Sequence, residues 1–394
     1  MRPQIYLFDV DGVLVKPAGY QLAMEATCRS FLCQAGLESH VPDNNVYLGF
    51  ESQKVTSEWD MVPLALLIVF DRVAQFSNCP EWVNDLSSAI RWCKGLDLPD
   101  FHVHYLPVIQ QMGLYIQPGK TAAEGILNAI ESGQSEDLLL HIRKTQLIRS
   151  LLSTTRRMHA SETTRKFQEY TLGWETYTRV YQSEPGEFVD SFLLKYDEAI
   201  LQPSISKALY ELNAKNLIRS AVYTARPSLA PKEVVHSGND YSPEAELALR
   251  LVGLENLPLI GYGKLAYLAG SRETTIPMYI KPAGGQAVAA MAAAWTGNEW
   301  DALCWAADLL EGRLDHQAVS LPEELDLYIF EDSPAGILGG KAAVDILKGI
   351  GITVHYHPIG IASNNEKTSK LTFLGARIYE NINLALKDIV GIDF

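Results

Sequence analysis

The chain has 394 residues, enough for two domains with separate cores. It is 47% hydrophobic and 20% charged, which excludes a disordered chain. Its formal net charge of -14 argues against a general nucleic-acid binder, because phosphate backbones are held by basic patches. An anionic substrate would need local cations or a metal to hold it against this field.

The five cysteines, Cys28, Cys33, Cys79, Cys93 and Cys304, form no C-x-x-C pair and no cluster with histidine. They read as reduced thiols of a cytoplasmic protein with no zinc site. The start of the chain lacks the pattern of a cleavable leader. The longest apolar run, Met61 to Phe70, is too short to cross a bilayer and contains Pro63. It reads as a buried helix, and no membrane association is expected.

The first element is the apolar run Ile5-Tyr6-Leu7-Phe8, which leads straight into Asp9. An unbroken apolar run of this length predicts a buried strand of a parallel sheet. Gly19 to Ser191 is mainly helical in pattern. Helices are predicted over Tyr20 to Ala35, Trp59 to Phe76, Glu81 to Lys94 opened by Pro80, Thr121 to Glu131, Glu136 to Leu152 and Glu162 to Tyr181. The strand-like pieces there are short, around Val46 and around Phe101 to Val108. Neither repeats nor low-complexity tracts occur.

Alternation of strands and helices begins near residue 200. Helices are predicted over Ser204 to Lys215, Pro243 to Leu251, Gly285 to Glu311 with a break near Gly297, and from Pro334 to Ala343. Strands are predicted over Leu217 to Tyr223, Ile276 to Ile280, Leu325 to Phe330, Ile352 to Tyr356 and Ala376 to Tyr379. The expected fold is α/β, a Rossmann-like parallel sheet with a large helical insertion. The expected division is 1–16 for the first strand of the core, 17–194 for the insertion and 195–394 for the rest of the core.

Four predicted strand ends carry polar residues: Asp9 and Asp11, then Thr224, then Lys281, then Glu331 and Asp332. A doubly wound sheet gathers such ends into one crevice. Paired carboxylates repel, and a hard cation such as Mg2+ offsets them. Carboxylate nucleophile, acid, metal and cations together suit phosphoryl transfer. Taken singly, each residue has a plainer reading. D-x-D-G is a solvated turn, Thr224 a strand-end hydroxyl, Lys281 a surface lysine, and Glu331-Asp332-Ser333 a helix cap. Their order and placement together favour the site. Arg226, two residues past Thr224, reads equally as a substrate contact or a structural arginine. The pairs His102 with His104 and His355 with His357 read as surface pairs.

In these motifs the chain resembles the haloacid dehalogenase-like hydrolase superfamily, in the branch with a helical cap after the first strand. The matching segments are Asp9 to Val13 (D-x-D-G-V), Thr224, Lys281 before Pro282, and Glu331 to Gly336 (E-D-S-x-x-G). The resemblance covers residues 1 to 15 and about 195 to 394 and fades in the cap. It implies Asp9 as the nucleophile that forms an aspartyl-phosphate. Asp11 would be the acid and then the base, lending its backbone carbonyl to the metal. Thr224 and Lys281 would bind phosphate. Asp332 would hold Mg2+, with Glu331 alongside. The expected activity is a Mg2+-dependent phosphatase on a small phosphorylated metabolite. The alternatives are a phosphomutase or other phosphotransferase, and a non-catalytic binding protein on this fold. Substrate identity and oligomeric state leave no trace in the sequence.

Overall fold

The computed structural model describes residues 2–117, 119–235, 241–313 and 319–391. Two compact units are present, one made of Met1–Pro17 with Tyr196–Phe394 and the other of Ala18–Lys195.

The first unit is built on a six-stranded sheet. Its strands are β1 (Gln4–Phe8), β2 (Arg219–Tyr223), β3 (Leu259–Ile260), β4 (Glu324–Glu331), β5 (Thr353–Ile361) and β6 (Arg377–Tyr379). They lie in the order β3-β2-β1-β4-β5-β6, and every pair is parallel. This is the doubly wound, Rossmann-like order, whose direction reverses between β1 and β4.

Alternation along β1 explains why the run is apolar throughout. Ile5 and Leu7 join one buried cluster with the helices Gly285–Thr296, Glu299–Leu310 and Pro334–Gly349. Tyr6 and Phe8 join the opposite cluster with the helices Pro203–Ala214, Glu244–Val252 and Ile382–Val390. Beyond β1, Val15–Lys16 pairs antiparallel with Glu198–Ala199. The chain therefore departs on the long insertion and returns at neighbouring points of the same unit.

The second unit is helical. The helix Glu58–Ala74 is buried along nearly its whole length, including Met61 to Phe70 as expected. The helices Gly19–Gln34 and Glu162–Tyr181 pack against it. Among the described residues, no helix is long and apolar enough to cross a membrane.

Several expectations are corrected. The segment around Val46 is a helix, Asn44–Ser52, because the Asp43 side chain accepts the free N–H groups of Asn45 and Val46. Tyr105–Gly113 is likewise a helix, so His102 and His104 precede a helix instead of sharing a strand face. The helix expected from Glu81 starts at Leu86, where Asp85 and Ser88 form a reciprocal cap. Of Glu136 to Leu152 only Leu147–Leu152 is helical. There Arg143 takes the carbonyls of Ile130, Ser135 and Glu136. Ile276 to Ile280 is not a strand but contains a short 3-10 turn, Ile276–Met278. Pro277 in its middle has no N–H to give a ladder. The edge position of the sheet goes to the two-residue β3.

Candidate active site

The acidic residues meet where the strand order reverses. Asp9 follows β1, and its backbone N–H donates to the carbonyl of Phe330 on β4 at 3.0 Å. Glu331 ends β4, and Asp332 follows it. Carboxylate oxygens of Asp9, Glu331 and Asp332 lie within 4.8 Å of one another. Asp9 is 6% exposed and Glu331 fully buried.

Lys281 is the buried cation of this cluster, but not as a strand end. It comes from the loop before the helix Gly285–Thr296. Its Nζ lies 2.8 Å from Asp9 Oδ1 and 2.7 Å from Glu331 Oε1, and 4.7 Å from the centre of the Tyr223 ring. Burial works against its charge, yet Asp9 and Glu331 outweigh that and raise its pKa. Glu331 also accepts from Ser333 Oγ at 3.0 Å. Burial first, and then the charge of Asp9, push the Glu331 carboxyl up to about 7, with Lys281 opposing. Asp332 is raised by burial and by Asp9, and is held back by Lys367, whose Nζ pairs with Asp332 Oδ2.

The two motif glycines are explained by these carboxylates. A Cβ on Gly12, at φ +73°, would lie 2.3 Å from Asp332 Oδ2. A Cβ on Gly336 would lie 1.8 Å from the Glu331 carboxyl carbon. Neither position admits a side chain while the carboxylates stay where they are.

Thr224 stands at the end of β2 and is buried. Its hydroxyl oxygen accepts the N–H of Arg226 at 3.2 Å, leaving its own hydrogen to donate. Arg226 is not aimed at open space. Its guanidinium is buried and grips both oxygens of Asp11, with Nε at 3.0 and 2.9 Å. It also donates to the buried Asp197 at 3.0 Å. The Asp11 side chain thus sits with Arg226, outside the carboxylate cluster. The structure therefore brings Asp9, Lys281, Glu331 and Asp332 together directly, and links Thr224, Arg226 and Asp11 as a neighbouring chain of contacts.

Sequence reasoning missed Gln286, Asp197 and Lys367. Gln286 is fully buried, and its Nε2 donates to the carbonyls of Thr224 and Ile260, each at 2.9 Å. Its Oε1 accepts from the Lys281 N–H at 3.3 Å. A single amide in an otherwise Ala-rich helix was the available signal. Asp197 and Lys367 lie in segments of ordinary surface composition and carried none.

Three clustered carboxylates form an all-oxygen donor set, which suits a hard divalent cation. The fit is uneven. Both oxygens of Glu331 are engaged, by Lys281 and by Ser333, whereas Asp9 Oδ2 lies outside the Lys281 pair and Asp332 is held by an exposed lysine. Asp9 and Asp332 would therefore be the direct donors to such a cation, with Glu331 fixing Lys281 between itself and Asp9.

No protein-family model matches the chain, and no curated protein matches it. Among solved structures, the chain is similar to the X-ray structure of a Northeast Structural Genomics Consortium target, with 12% identity, a TM-score of 0.58 and 99% of both chains covered. That is a likeness of fold alone. A second similar structure is phosphatase Tt82 from Thermococcus thioreducens, at 14% identity and a TM-score of 0.44, covering 93% of this chain and 99% of that one. It is too distant to carry a conclusion about this chain.

Proposed function

We propose that the protein is a Mg2+-dependent phosphatase of the haloacid dehalogenase-like kind, acting on a small phosphorylated metabolite through Asp9. The observation that supports this best is the buried Asp9 carboxylate, paired with Lys281 and set within 4.8 Å of Glu331 and Asp332 at the reversal point of the sheet. A structural ion pair needs one acid for its lysine. A third, adjacent carboxylate adds repulsion that the half-exposed Lys367 on Asp332 offsets only in part, and a hard divalent cation would relieve it further.

In this reading an Asp9 oxygen attacks phosphorus as the bond from phosphorus to the leaving oxygen breaks. Asp11, turned away from Arg226 and protonated from solvent, gives that proton to the leaving oxygen. Asp11 then takes a proton from water, which attacks phosphorus, breaks the bond to Asp9 and releases phosphate. The Thr224 hydroxyl and the Lys281 ammonium stabilise the equatorial oxygens. Bound Mg2+, held by Asp9 and Asp332, would supply charge neutralisation for the transferring group. The helical insertion is the part we assign to substrate selection.

The test is hydrolysis of p-nitrophenyl phosphate with Mg2+, and then of a panel of phosphorylated metabolites. Turnover is expected in the wild type and none in Asp9→Asn. Transfer between sugar phosphates without free phosphate would point to a mutase. No turnover of any ester would point to a binding protein.

A further inference from the structure

We infer that Lys367 is a built-in counter-ion of the acidic cluster, which a divalent cation displaces from Asp332 in order to bind. This rests on the metal-binding reading above and adds to it a residue that tunes the affinity.

The cluster holds two lysines of different character. Lys281 is 8% exposed in its side chain and is fixed between Asp9 and Glu331. Lys367 is 49% exposed and pairs with the outer carboxylate, Asp332. A buried ammonium between two acids is costly to remove, whereas a half-exposed one on a flexible stem exchanges readily with water.

The position of Lys367 on its helix points the same way. The helix Asn365–Phe373 is capped by the Asn364 side chain, which accepts the Lys367 N–H at 2.8 Å. Lys367 thus lies in the first turn, where the helix dipole disfavours a cation. Among the described residues Lys367 pairs with Asp332, outside the helix, and that ion pair is what its charge contributes to. Lys370, one turn on, instead pairs within the helix with Glu366.

Charge balance decides the order of events. Even with all three carboxylates ionised, the two ammonium groups leave only one negative charge. A divalent cation added beside Lys367 would make the cluster net positive, with two cations sharing Asp332. Exchange of Lys367 for the divalent cation leaves it neutral. The freed ammonium, on a four-carbon stem at the rim, is then available to an anionic substrate.

The experiment is calorimetric titration of Mg2+ into the wild type, Lys367→Gln, Lys367→Arg and Lys370→Gln, at fixed ionic strength and without substrate. Lys367→Gln is expected to bind Mg2+ about 2- to 10-fold more tightly, the range set by removing one partly exposed ion pair. Lys367→Arg and Lys370→Gln are expected to match the wild type. Unchanged or weaker binding in Lys367→Gln, with its thermal melt intact, overturns the inference while leaving the metal site standing. Absence of Mg2+ binding in the wild type overturns both.

Discussion

Glu331 lies wholly out of solvent between Lys281 and Ser333, and its carboxyl is pushed up to about 7 by burial and by Asp9. In the unfolded chain it returns to its ordinary value of 4.5. Between those values the folded protein keeps a proton that the unfolded chain has lost. Its contribution is therefore full below 4.5 and is lost as pH rises through 7. In the presence of a chelator, the melting temperature of the wild type should fall between these pH values more steeply than that of Glu331→Gln. Equal slopes would remove Glu331 as the cause. The lysine that serves it is tested by Lys281→Met, which leaves Asp9 and Glu331 buried without a cation. The expected loss is about 3–5 kcal/mol in urea unfolding. Gly336→Ala places a methyl group on the Glu331 carboxyl, so it should destabilise by at least about 1–3 kcal/mol and alter metal binding as well.

Among the elements, the helix Gly285–Thr296 does more than cover the sheet. Through Gln286 it holds the carbonyls that end β2 and β3, and it fixes the backbone of Lys281. Gln286→Leu removes this donor from the Thr224 carbonyl and the acceptor of the Lys281 N–H, while the Ile260 carbonyl still accepts the Thr224 N–H at 3.1 Å. It should cost about 1–3 kcal/mol per unsatisfied group, measured by urea unfolding. Its effect on turnover should appear as a lower kcat, because both Thr224 and Lys281 lose a support. A stability change below about 0.5 kcal/mol would show that water replaces the amide and that the tie is dispensable. At this scale sequence reading went wrong wherever side chains beyond the periodic pattern decided the backbone. Pro277 removed a strand, Asp43 and Asp85 set helix starts, and Arg143 took the carbonyls that a longer helix would have used.

The molecule as a whole carries an insertion of about half its length between two points that the structure brings together. Lys16 stands opposite Glu198, and Val15 opposite Ala199, in an antiparallel ribbon. Antiparallel partners can be joined by a tight turn of about two residues. A chain with residues 18–195 replaced by a short Gly-containing turn should therefore keep the sheet unit folded, with its two apolar clusters intact. Circular dichroism should show one cooperative melt and retained α/β content. Loss of cooperative unfolding would mean that the helical unit belongs to the same folding unit. Under the proposed function, this shortened chain should lose selectivity among phosphate esters before it loses Mg2+ binding.

What the amino-acid order determined by itself is the sheet and the roster of its charged ends. Unbroken apolar runs such as Ile5 to Phe8 and Leu327 to Phe330 fit two-faced buried strands, and each runs directly into its acid. The near-symmetric alternation of short apolar runs with helical patterns set the layers. The pairing of those groups was decided only in three dimensions. That Arg226 grips Asp11, that Gln286 knots Thr224 to Lys281 and that Lys367 answers Asp332 depend on contacts across 215, 62 and 35 positions. Local spacing carries no signal for such contacts, because the strand order that creates them is a property of the whole sheet.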